Sequence, residues 1–143
     1  MSRHLDAIAA ALLAVMVVPA AQAAMWYPVL NDELAIVSLN QESLVSKGAT
    51  VAGEFQYVFK RTLTEAYADD SRTDTFRRMK TWIEADCSAG TLRVLERSLI
   101  GEKGDRVAEG VPGRLRAARP SEMLDAAEKM MLKVACGGIR AAD

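Results

Sequence analysis

The sequence predicts an α+β fold: an antiparallel β-sheet meander of four to six strands with one C-terminal helix packed on the sheet and tethered to it by a disulfide. Three observations predict it. Apolar and polar residues alternate with a period of two through successive runs between residues 50 and 100. Short turn signals separate those runs, so consecutive strands must pair as hairpins. After Pro120 the apolar spacing changes to three and four, the period of a helix with one buried face.

The N-terminus is read first because it fixes the compartment. Residues 1–23 have the form of a secretory signal peptide: basic Arg3 and His4, an apolar run from Ala7 to Val18, then Pro19 and the small-x-small site Ala21-Gln22-Ala23. The run is twelve residues, short of the roughly 20 a spanning helix needs. Cleavage after Ala23 fits best, with Ala24 the alternative, and leaves a single domain over residues 24–143 with no membrane span. Export to a periplasm or cell surface turns Cys87 and Cys136 into an expected disulfide, because that compartment is oxidising.

Within residues 24–143 the elements follow in order. Ala35-Ile36-Val37-Ser38-Leu39 is the first predicted strand, ending at polar Asn40-Gln41-Glu42, and Lys47-Gly48 is a turn. From Thr50 to Arg61, Val51, Gly53, Phe55, Tyr57 and Phe59 share one face against Glu54, Gln56 and Lys60. Gly53, inside that strand, predicts a bulge or a close approach by another element. Glu65 to Thr75, with its acidic tip Asp69-Asp70, reads as an exposed connection. Phe76 to Cys87 alternates again, with Met79, Thr81, Ile83, Ala85 and Cys87 opposite Arg78, Lys80, Trp82, Glu84 and Asp86.

Ser88-Ala89-Gly90 turns the chain into Thr91–Ile100, where Leu92, Val94 and Ile100 are expected opposite Arg93, Leu95, Arg97 and Leu99. Gly101 to Gly104 connects to a short return strand over residues 105–109. Pro112 to Pro120 breaks regular structure, and Ser121 is the expected N-cap of a helix starting at Glu122. Leu124, Ala127, Met131 and Val134 form its apolar stripe, and Gly137-Gly138 ends it. A bond between Cys87 and Cys136 would then join a strand end to a helix end.

Composition narrows function by exclusion. With 18 basic and 19 acidic side chains the net charge is −1, and losing Arg3 and Asp6 with the signal preserves the balance, so no long-range field draws in nucleic acid. His4 is the only histidine and leaves with the signal, which removes histidine-dependent triads and metal sites. No enzymatic activity, catalytic residue, metal or cofactor is expected. Asp69, Asp70 and Asp74 lack the glycine and terminal glutamate of a helix-loop-helix calcium site, and Glu84 with Asp86 reads as an exposed strand face. The expected binding surface comprises Arg114, Arg116 and Arg119, the densest basic cluster, and Trp82, an aromatic among charges. Met123, Met130 and Met131 suit an adaptable contact, either core or partner.

The chain resembles the surface-adhesin E family of small exported bacterial proteins. The resemblance is carried by Trp26 after the signal, the turn at Val45-Ser46-Lys47-Gly48, a strand closing on Asp86-Cys87, and Ala118-Arg119-Pro120-Ser121 leading to Cys136. It spans about Trp26 to Cys136 and implies an antiparallel sheet with a disulfide-fastened C-terminal helix. It also implies a non-enzymatic protein-interaction domain, since name-giving members are surface proteins that bind host matrix proteins and can form homodimers. The first strand here carries no aromatic or acidic residue, where the family often has both, and no lipid-anchor cysteine is present, departures that separate the fold from the adhesin role. A periplasmic inhibitor or ligand-binding protein is the alternative, and a deep apolar pocket would mark it.

Overall fold

The computed structural model describes residues 24–66 and 73–137. The signal segment with Ala23, the acidic tip at Asp69-Asp70 and Gly138 lie outside them, whereas Ala24 is the first described residue. The strands are β1 (Trp26–Asn31), β2 (Ala35–Asn40), β3 (Val45–Lys47), β4 (Thr50–Ala66), β5 (Thr73–Asp86), β6 (Thr91–Ile100), β7 (Arg106–Glu109) and β8 (Arg119–Pro120). They form one antiparallel sheet in the order β1-β2-β4-β5-β6-β7, with β3 on β4 and β8 on β6. Helices α1 (Gly113–Arg116) and α2 (Ala126–Gly137) complete the described chain. No helix among the described residues is long and apolar enough to cross a membrane.

Eight strands exceed the four to six expected. β1 was hidden by Pro28, which removes a backbone donor; the strand tolerates it because β1 sits at the sheet edge, hydrogen-bonded to β2 alone. β3 and β8, three and two residues long, are too short to carry a period. The expected break at residues 112–120 instead contains α1 and β8. The polar stretch read as a connection from Glu65 is strand up to Ala66 and again from Thr73.

One sheet face is buried. Val37, Leu39, Phe55, Ile83, Ala85, Leu92 and Val94 form a core closed from above by Leu124, Met131 and Ala135. A second cluster, Ala35, Phe59, Phe76 and Leu99, lies farther along the same face. Gly53 permits the close approach its position predicted: a Cβ there would sit 2.8 Å from Leu44 Cδ2. The faces of β6 differ from expectation after residue 94. Trp82 pairs with Glu96 and Ile83 with Val94, so Leu95 is an extra residue, and every later side chain changes face. Leu99, assigned to the polar side, is therefore 1% exposed in the core, while Ile100 is turned away from it.

The helix start also shifts. Ser121 opens a single 3₁₀ turn, Ser121–Met123, and the cap of α2 is Asp125. The Glu128 amide donates to Asp125 Oδ1 at 2.8 Å, and the Asp125 amide donates to Glu128 Oε2 at 3.1 Å. This reciprocal capping box satisfies two donors at the helix start. Its placement makes Glu128 the buried residue of the first turn, followed by Met131 and Ala135, while Ala127 and Val134 of the expected stripe pack half-buried against the same core. Cys87 and Cys136 are bonded, with Cα atoms 5.4 Å apart, fastening the end of α2 to the residue that follows β5.

β4 and β5 carry a second irregularity. Val58 pairs with Arg78 and Leu63 with Phe76, so residues 59–62 stand opposite Arg77 alone. The Arg77 guanidinium donates to the Phe59 carbonyl at 2.9 Å and to the Lys60 carbonyl at 3.3 Å, satisfying acceptors that the ladder leaves there. Beyond this bulge the pairing resumes through Leu63–Ala66 and Thr73–Phe76.

Candidate functional site

The cleft arises from a mismatch of lengths. The twelve residues of α2 span about 18 Å, whereas the longest strands, β4 and β5, contain 17 and 14 residues. The helix consequently covers only part of the apolar face. Where its cover stops, at the seam between the two core clusters, a cleft of about 410 Å³ opens. Tyr57 packs against both clusters.

The floor is apolar and aromatic. Tyr57 and Phe59 stack at 5.7 Å between centroids, Phe76 meets Phe59 edge-on at 5.6 Å, and half-buried Met79 lies beside them. Two apolar side chains stand exposed at the mouth, Leu34 at 44% and Met123 at 65%. Burial, then the nearby Asp125 and Glu128 carboxylates, push the Tyr57 phenol far above its ordinary pKa. It stays neutral, and its hydroxyl makes no hydrogen bond among the described residues.

Arg97, Arg114, Arg119, Asp125 and Glu128 also line the cleft. Arg119 and Glu128 form a bidentate pair at 2.6 and 3.1 Å, with each side chain 12% exposed. The Arg119 Nε–H is buried and has no acceptor among the described residues. Arg97 Nε donates to the Gly110 carbonyl at 2.9 Å. Arg97 reaches this side only because of the extra Leu95, which aligns Arg97 with inward-facing Thr81. Arg114, on α1, is exposed and makes no hydrogen bond or ion pair among the described residues.

The four residues of the expected surface therefore separate. Arg114 and Arg119 come together in the cleft, but Arg119 is a largely covered structural partner of buried Glu128 and is not a solvated cation. Arg116 donates to the Val111 carbonyl at 3.1 Å and is not part of the cleft lining. Trp82 lies on the opposite sheet face, in register between Glu54 and Glu96, where Lys80, Arg106 and Glu109 help line a hollow of about 390 Å³. Lys80 on that face stands 5.6 Å from the Trp26 ring centroid. Helix α2 does not cover Trp82.

Sequence reasoning missed Tyr57, Leu34, Arg97, Asp125 and Glu128 as site residues. The Asp125-x-x-Glu128 spacing was a visible capping signal; the inward turn of Arg97 depends on a one-residue bulge that alternation alone conceals. The carboxylates weighed for acid-base work are committed elsewhere. Glu84 pairs with Arg93 at 2.8 Å. Asp86 accepts from the Ser88 and Ala89 amides at 3.0 and 2.9 Å. No group of three or more metal-binding side chains exists among the described residues. No family model, curated protein or solved structure matches the chain.

Proposed function

We propose that this chain is an exported, non-enzymatic binding domain that holds a ligand in the cleft between its sheet and its C-terminal segment. The observation that carries the reading is the cleft itself: about 410 Å³, an aromatic floor, two exposed aliphatic side chains at the mouth, and an uncommitted arginine beside them. A concave, mostly apolar site with a few convergent polar groups is the usual form of a ligand pocket. The same observation favours ligand binding over adhesin-like protein binding, because the basic cluster expected to meet a partner surface is divided between different surroundings. The adhesin-like reading draws its support from the other face, where Trp82 and six charged side chains, three of each sign, line an exposed hollow.

Native mass spectrometry of the oxidised protein, purified after export without denaturation, tests the ligand reading. A stoichiometric small-molecule adduct is expected, and Leu34→Glu, at the exposed mouth, should abolish it while leaving the circular dichroism spectrum unchanged. A protein that carries no adduct, or one that Leu34→Glu retains, refutes the reading.

A further inference from the structure

We propose a second binding site, on the sheet face opposite the cleft, where the hollow around Trp82 takes an uncharged oligosaccharide of pyranoses with equatorial hydroxyls. Register centres the site on the indole. Trp82 stands opposite Glu54 of β4 and Glu96 of β6, and Lys80 precedes it by two residues on the same face. Arg106 and Glu109 add to the charged rim, and the hollow measures about 390 Å³. Glu96, exposed beside the indole, makes no hydrogen bond or ion pair among the described residues, so its carboxylate is an acceptor with no partner to give up.

Indole and rim select different parts of one ligand. The face of an indole carries negative π density, which attracts the polarised axial C–H bonds of a pyranose. When the hydroxyls are equatorial they spread outward in the plane of the sugar, toward the rim. That rim sets acceptors beside donors: Glu54 lies 3.9 Å from Lys80, and Glu109 pairs with Arg106. A hydroxyl both donates and accepts, so neighbouring hydroxyls are satisfied by a carboxylate and a cation side by side. Carboxylates on both sides of Trp82 repel an anionic sugar, while Lys80 and Arg106 repel an amino sugar. A second indole sets the length. Trp26 pairs with Asn40, Asn40 Nδ2 donates to Glu54 at 3.2 Å, and Glu54 pairs with Trp82, so the two tryptophans lie on one row across the sheet. Three strand spacings separate β1 from β5, which puts their backbone positions roughly 14 Å apart. An oligosaccharide reaches from one indole to the other, and a monosaccharide does not.

Titration calorimetry of the full oxidised protein with cellotetraose, a soluble chain of β-1,4-linked glucose, tests the inference. Binding should saturate at one to one and be at least about tenfold tighter than that of glucose. Glu96→Ala, an exposed substitution, should weaken it about tenfold, and Trp82→Ala should abolish it. Leu34→Glu, at the mouth of the cleft, should leave it unchanged, and the chain oxidised to uronic acids should bind about tenfold more weakly. Absence of saturable binding, or an unchanged affinity in Glu96→Ala or Trp82→Ala, overturns the inference; Glu96→Ala decides alone if Trp82→Ala does not fold. A loss in Leu34→Glu overturns it by placing the sugar in the cleft. Light scattering covers the remaining occupant: a dimer that Glu96→Ala or Trp82→Ala converts to a monomer means that a second copy fills this face, and the glycan site falls.

Discussion

Asp86 ends β5 and shapes the turn that brings the chain back as β6. Its carboxylate accepts from the Ala89 and Ser88 amides, while Gly90 takes the positive φ of 66° that closes the turn. The Ala89 bond above all holds the Asp86 carboxyl below the usual carboxylate range; burial opposes it, and the Ser88 hydroxyl and amide lower it further. A depressed folded pKa means that the stabilisation is complete above the unfolded value, near 3.9, and is lost as pH falls through the folded value. Asp86→Asn should therefore lower the Tm by a near-constant amount from pH 7 down to about pH 5, with the gap to the parent narrowing below pH 4. Thermal unfolding followed at a series of pH values checks this; a gap that widens on acidification contradicts it.

At the scale of elements, the Arg119–Glu128 pair joins β8 to the first turn of α2 and fixes one wall of the cleft. Glu128 also closes the capping box, so one carboxylate orients the helix axis and anchors it to the sheet edge. Removing one partner of a buried pair leaves an uncompensated charge. Arg119→Ala should destabilise the fold by about 3 kcal/mol in urea denaturation. Arg119→Met combined with Glu128→Gln should lose only about 1 kcal/mol, since Gln still serves the capping box and no lone charge remains. Equal losses in both variants would show that packing, and not charge compensation, dominates here.

For the whole molecule, the Cys87–Cys136 bond closes a loop of 49 residues that contains β6, β7, α1, β8 and α2. In the chain-entropy model such a loop contributes about 4 kcal/mol, a large part of the stability of a domain this size. In the Cys87→Ser/Cys136→Ser protein, amide exchange should rise first in α2 and least in β4 and β5, whose ladders continue on both sides. Uniform loss of protection would instead indicate a single cooperative unit. Much of this organisation was legible in the sequence. Alternation placed Phe55, Phe59, Ile83, Leu92 and Val94 inward, and the expectation of export paired the two cysteines, which are bonded. The unread parts share one cause, since Pro28, the extra Leu95 and the extra residues 59–62 break periodicity and depend on neighbouring strands. The cleft was illegible because it depends on how far α2 extends over the sheet, and Arg114 was legible as basic but not as part of a pocket.

The bulge opposite Arg77 separates two registers within one hairpin. Residues 63–66 and 73–76 pair only with each other, downstream of a joint whose exposed carbonyls are already satisfied by the Arg77 side chain. An insertion or deletion of a residue pair in this outer arm would leave the parity of Phe55, Tyr57 and Ile83 untouched. The arm is thus the part of the chain where length can vary among descendants without disturbing the core, so a new recognition loop can be tried there while the cleft keeps its present lining.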